Sequence, residues 1–174
     1  MRRCSQLAVI GTLFLALSPV LLSQSGKDVV LKPSEISPAI FPEKVFYRGR
    51  VTTTQLRNTG GVRFADDFFV LAGLADVSGY SSDIQEKFQA YLITEVPLEI
   101  SGQQLNPGSY GIGFLPDGKF VVTDLGGHEL LQTASTKDAK MPRPVPLQVA
   151  SAASPGTYRL YLGRNYLEFK RAAK

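Results

Sequence analysis

From Gln89 to Ile100 the chain alternates in a way that no helix tolerates. Ala90, Leu92, Thr94, Val96, Leu98 and Ile100 fall on one side, and Gln89, Tyr91, Glu95 and Glu99 on the other. A period of two belongs to a β-strand half-buried against a core. Pro97 supplies no N–H to a ladder, so this strand lies at a sheet edge or bends there.

The same grammar recurs along the chain. Val45 to Thr54 is rich in Val, Tyr, Phe and Thr, residues that suit a pleated surface. Asn58-Thr59-Gly60-Gly61 reads as a turn, with a new strand from Val62. Asp66 to Val77 carries apolar residues on both alternating faces and reads as a central strand buried on both sides. A helix starting at Asp66-Asp67 is the alternative, and Gly73 with the missing polar face counts against it. Ser82-Asp83-Ile84-Gln85 has the form of a capping box, predicting one short helix over residues 82–88. Pro116-Asp117-Gly118-Lys119 between two apolar runs is a hairpin signal. Ser109, Gly111 and Gly113 leave one face of its first strand nearly bare, which fits close approach by another group. Gly126-Gly127 turns into a short strand over residues 128–133. Residues 134–146 form a proline-bearing loop, and Leu147 to Ala150 an edge strand. Thr157 to Leu162 and Tyr166 to Lys170 form a last hairpin about Gly163-Arg164-Asn165. This spacing of strands and turns predicts an all-β fold: an antiparallel β-sandwich or short β-barrel of about eight strands with one short helix.

The amino terminus points to export. Arg2 and Arg3 precede an apolar run from Leu7 to Leu22, and Ser23-Gln24-Ser25 offers small residues for cleavage before Gly26. Residues 1–25 thus read as a signal peptide, 26–44 as an irregular lead-in with three prolines, and 45–174 as a single β-rich domain. The expected location is periplasmic or extracellular, with no membrane span after cleavage. Cys4, the only cysteine, would leave with the signal, so neither disulfides nor a thiol nucleophile remain. Cleavage also removes Arg2 and Arg3 and leaves a net charge of +2, too weak for a nucleic-acid surface.

Candidate chemistry is sparse. His128 is the only histidine, which excludes a histidine-rich metal centre; neither a metal nor a cofactor is expected. Glu95 and Glu99 share a strand face but sit roughly 13 Å apart along it at 3.3 Å per residue, too far for a paired-carboxylate mechanism. Gly108-x-x-Gly111-x-Gly113 continues into a strand, so it is no phosphate cradle. No catalytic residue is assigned.

Two features point to binding. Tyr158, Tyr161 and Tyr166 surround Arg159 and Arg164 in the last hairpin, a potential stacking and hydrogen-bonding surface. Asp76 and Tyr80 lie where a buried strand meets a loop. The expected ligand residues are therefore Tyr158, Tyr161, Arg164, Tyr166, Asp76 and Tyr80.

Gly102-x-x-Leu105-x-Pro107-Gly108-x-Tyr110 with the hairpin after it resembles a phrase in uncharacterised exported bacterial β-sandwich domains, over residues 102–125. The resemblance implies a secreted β-sandwich and hands over no catalytic residue. The expected function is a non-catalytic envelope or secreted module that binds a small ligand or an envelope protein. The alternatives are a small β-barrel carrier of an apolar molecule, and a hydrolase or isomerase using Asp76, Asp124 or His128.

Overall fold

A computed structural model describes residues 26–36 and 39–173; residues 1–25, where the export signal is read, lie outside them. In chain order the first elements are β1 (Val29–Leu31), α1 (Pro33–Ile36), β2 (Lys44–Tyr47), β3 (Arg50–Arg63), β4 (Phe69–Ala75), α2 (Ser82–Lys87) and β5 (Ala90–Thr94). They are followed by β6 (Leu98–Ile100), β7 (Gln103–Leu105), β8 (Gly108–Phe114), β9 (Lys119–Thr123) and β10 (Glu129–Ala134). The last are β11 (Thr136–Lys137), β12 (Leu147–Ser151), β13 (Thr157–Leu162) and β14 (Asn165–Arg171). The residues read as an irregular lead-in therefore hold β1, α1 and the start of β2, and the described residues contain two short helices in place of one. Helix α2 is preceded by Ser81, which makes no side-chain cap bond, so the expected capping box does not form.

The strands make two antiparallel sheets, and neither closes into a barrel. The larger has the order β1-β3-β4-β5-β8-β9-β10, with β2 also paired to β3; the smaller runs β12-β13-β14-β6-β7, with β11 also on β14. β4 pairs on both sides, as expected of a central strand. Its residues are apolar throughout because the larger sheet is buried on both faces. One face shares a core with the smaller sheet through Val62, Val70, Leu92, Phe120, Val122, Leu160 and Phe169. The other lies under Ile36, Phe41, Tyr47, Tyr80 and Phe88. Each fully buried aliphatic or aromatic side chain contributes about 1.5–3 kcal/mol relative to exposure. The void between the sheets measures only about 10 Å³, no more than one water needs. That interior has no room for the cargo of a carrier.

The alternating segment at 90–100 is divided between the sheets. β5 ends at Thr94 in the larger sheet and β6 resumes at Leu98 in the smaller, while Ala90, Leu92, Thr94, Val96, Leu98 and Ile100 all stay buried. Pro97 breaks the ladder, and the Thr94 hydroxyl donates to the carbonyl of Val96 at 2.5 Å across the bend. The chain returns from the smaller sheet through β7, after a two-residue turn at Ser101 (φ 50°) and Gly102 (φ 77°), a pairing that matches the natural strand twist.

The expected turn at 58–61 is absent. Asn58, Thr59, Gly60 and Gly61 lie within β3, and the glycines serve close packing instead. A Cβ on Gly60 would come 2.7 Å from the backbone nitrogen of Val149 in β12, and one on Gly61 would come 2.5 Å from the carbonyl oxygen of Val70.

Asp28 ties the start of the described chain to its end. One of its carboxylate oxygens accepts the Tyr158 hydroxyl at 2.6 Å, and the other accepts the N–H of Ala65 at 2.9 Å. Burial, followed by this carboxylate, holds the Tyr158 hydroxyl well above the ordinary phenol range. Burial also raises Tyr47, Tyr80 and Tyr110. A phenol that keeps its proton more tightly when folded contributes stability that is fully present below the unfolded value of 10.0. That contribution is lost as the pH rises through the folded values. The melting temperature should therefore fall above pH 10, and Tyr158→Phe should make that fall shallower. An unchanged alkaline slope in melts of Tyr158→Phe would refute the assignment.

Candidate functional site

An open cleft lies beside a bulge in β3. Thr54 of β3 pairs with Ala75 of β4, yet the next pair is Thr59 with Gly73. Three more residues are consumed on β3 than on β4, and the surplus is pushed out of the ladder. Asn58 Nδ2 donates to Gln55 Oε1 at 2.7 Å, and the Thr59 hydroxyl donates to the carbonyl of Leu56 at 2.8 Å. These two bonds lock the bulge and leave Arg57 exposed beside β1 and β12.

The cleft has a volume of about 520 Å³, within the range of small-molecule sites. It is lined by residues 30–33, 57–59 and 145–150, and most of its wall is apolar: Val30, Leu31, Pro33, Val145, Pro146, Leu147, Val149 and Ala150. β1 and β12 each form the edge of their sheet. Bonds from Gly163 N to Pro146 O and from Ala152 N to Thr157 O flank the β12–β13 ladder. By the antiparallel alternation, Gln148 and Ala150 bond inward to β13, while the backbone groups of Leu147 and Val149 face away from it.

The charge of the cleft is one-sided. Lys32 and Arg57 line it, and no carboxylate does. Glu35 is close, but its Oε2 accepts the backbone N–H of Lys32 at 2.8 Å. Neither the Lys32 ammonium nor the Arg57 guanidinium has an ion-pair or hydrogen-bond partner among the described residues. The cleft offers an apolar wall with two available cations and no nucleophile activated by a base.

The residues expected to bind ligand are dispersed. Tyr158 points into the core shared by the sheets. Tyr161 and Tyr166 lie outside that core with ring centroids 5.0 Å apart, and Arg159 sits 4.5 Å over the Tyr166 ring. The Tyr161 hydroxyl reaches Asp138 Oδ2 at 3.4 Å, and Arg164 Nε donates to the carbonyl of Met141 at 3.2 Å. Asp76 and Tyr80 do meet, with Arg50, in a notch of about 270 Å³. There the hydroxyl and N–H of Ser78 lower the Asp76 carboxyl below its usual range.

Asp124 and His128 also meet, in the β9–β10 turn. His128 Nδ1 lies 2.9 Å from Asp124 Oδ2, and the His128 N–H donates to Oδ1 at 2.9 Å. The ring and N–H of His128 hold the Asp124 carboxyl below its usual range. The imidazole is 82% exposed, and Asp76 takes no part in the pair, being held by Ser78.

None of the cleft residues stands among those expected from sequence. The available signal was the run Thr52 to Asn58, polar except for Leu56, inside an otherwise β-like stretch, which fits an edge or a bulge.

Fold and cleft together define a two-sheet antiparallel β-protein with an open cleft at its sheet edges, lined by Lys32 and Arg57. No family model matches the chain, no curated protein matches it, and no solved structure matches it.

Proposed function

We propose that this chain is an exported, non-catalytic binding module that takes its ligand in the cleft between β1 and β12. The carrying observation is the contrast between a filled interior, with a void of about 10 Å³, and an open apolar cleft of about 520 Å³ rimmed by Lys32 and Arg57, which are unpaired among the described residues. Export is supported by Arg2-Arg3, the apolar run to Leu22 and the small residues before Gly26. Periplasmic or extracellular release, and kinship with exported bacterial β-sandwich domains, belong to the same reading.

Native against denaturing mass spectrometry of the chain purified from an exporting host tests it. The expected result is a chain beginning at Gly26 that carries an extra mass released on denaturation. Ala150→Trp, which places an indole in the cleft from a half-buried position, should abolish that mass while a cooperative thermal melt shows that the variant still folds. Val145→Trp is a second variant should Ala150→Trp fold poorly. A ligand retained equally by both variants would overturn the assignment of the cleft.

A further inference from the structure

We infer that the ligand of this cleft is a single-chain anionic amphiphile, its apolar chain on the wall and its carboxylate or phosphate head against Lys32 and Arg57. The inference rests on the cleft being the binding site and adds the chemical class it takes. The wall presents Val30, Pro33, Val145 and Ala150, all still partly or well exposed, so an apolar chain laid on them removes apolar area from water. Lys32 and Arg57 bring two cations that no described carboxylate neutralises, so a negative head gains charge-assisted hydrogen bonds there. A cationic amphiphile would meet repulsion at the same place.

An extended peptide is the other occupant that a sheet edge could take, by adding a strand. The structure opposes it. The outward-facing nitrogen of Val149 lies over Gly60, so close that a Cβ on that glycine would come within 2.7 Å. β3 therefore occupies the space a strand paired to β12 would need at Val149, so on that wall recognition is left to side-chain contact and charge. The two cations favour an anionic occupant over a neutral strand.

Isothermal titration of the mature chain with dodecanoate, dodecyl phosphate, dodecanol, dodecyltrimethylammonium and inorganic phosphate tests the inference. Both anionic amphiphiles should bind, and dodecanol at least about tenfold more weakly, as loss of a charge-assisted bond requires. The cationic amphiphile and inorganic phosphate alone should not bind measurably. The double variant Lys32→Ala, Arg57→Ala should weaken both anions to the level of dodecanol and leave dodecanol unchanged. Both side chains are exposed, so folding should be unaffected. Equal binding of dodecanol and dodecanoate, indifferent to the double variant, would overturn the anionic assignment while leaving the cleft a binding site. A native ligand displaced by Ala150→Trp but competed by none of these amphiphiles would also overturn it. Absence of any ligand from the purified chain, with no titration signal, would overturn both readings together.

Discussion

Gly111→Ala is expected to destabilise the protein by about 3 kcal/mol, at the upper end of overpacking costs. The added methyl would lie 2.5 Å from Cε2 of Tyr47, 2.7 Å from the Thr123 hydroxyl oxygen and 3.0 Å from the Phe88 ring. None of these can retreat easily. Tyr47 is stacked on Phe88 with centroids 3.8 Å apart, and its hydroxyl is bonded to Thr123 at 2.8 Å in a buried site. Moving the ring breaks the stack and leaves a buried hydroxyl unpaired, which itself costs about 1–3 kcal/mol. Gly79→Ala is the control, because the only neighbour within reach is Arg50 Nη1 at 3.9 Å. Urea denaturation of both variants decides it: a Gly111→Ala midpoint equal to that of Gly79→Ala would refute the packing described for this layer.

Gly60→Val sets two effects of opposite sign against each other. Valine suits a strand better than glycine, a gain of up to about 1 kcal/mol. Against this, the new Cβ meets the Val149 nitrogen at 2.7 Å and the Gln148 carbonyl carbon at 3.3 Å. Backbone cannot rotate aside as a side chain can, so β12 must lift off β3. The steric cost wins, and a net loss of about 2–4 kcal/mol is expected, beyond the usual range for surface changes. Because β12 forms one wall of the cleft, ligand retention should fall with stability. Chemical denaturation together with native mass spectrometry checks both. A Gly60→Val protein more stable than wild type would mean that β12 does not cross β3 there.

Both glycines bear on how far the fold was legible. The bare face of Gly111 and Gly113 could be read as a place of close approach, because flanking alternation already marked a strand. Gly60 and Gly61 carry the same meaning, yet Asn58 and Thr59 before them imitate a turn, and local chemistry cannot tell the two apart. The hairpins about Asp117-Gly118 and Gly163-Arg164-Asn165 were legible because a turn and its strands are contiguous. So was the helix at 82–87, although its cap was not. The change of sheet at Pro97 was half legible: proline announces a break, but not which sheet receives the chain beyond it. The aromatic residues of the last hairpin were visible as a group, yet pleating sends Tyr158 inward and leaves Tyr161 and Tyr166 outside the shared core.

Sequence alone therefore determined the β class, most strand positions, the apolar identity of the core and the expectation of export, all of which rest on periodicity or on neighbours in the chain. Tertiary structure decided the rest. Two sheets in place of a closed barrel, a filled interior, and a cleft made from residues 30–33, 57–59 and 145–150 depend on which edges meet. The strand register that pushes Arg57 out of the ladder is set by side chains far apart in sequence, because a bulge is defined only against the partner strand it fails to match.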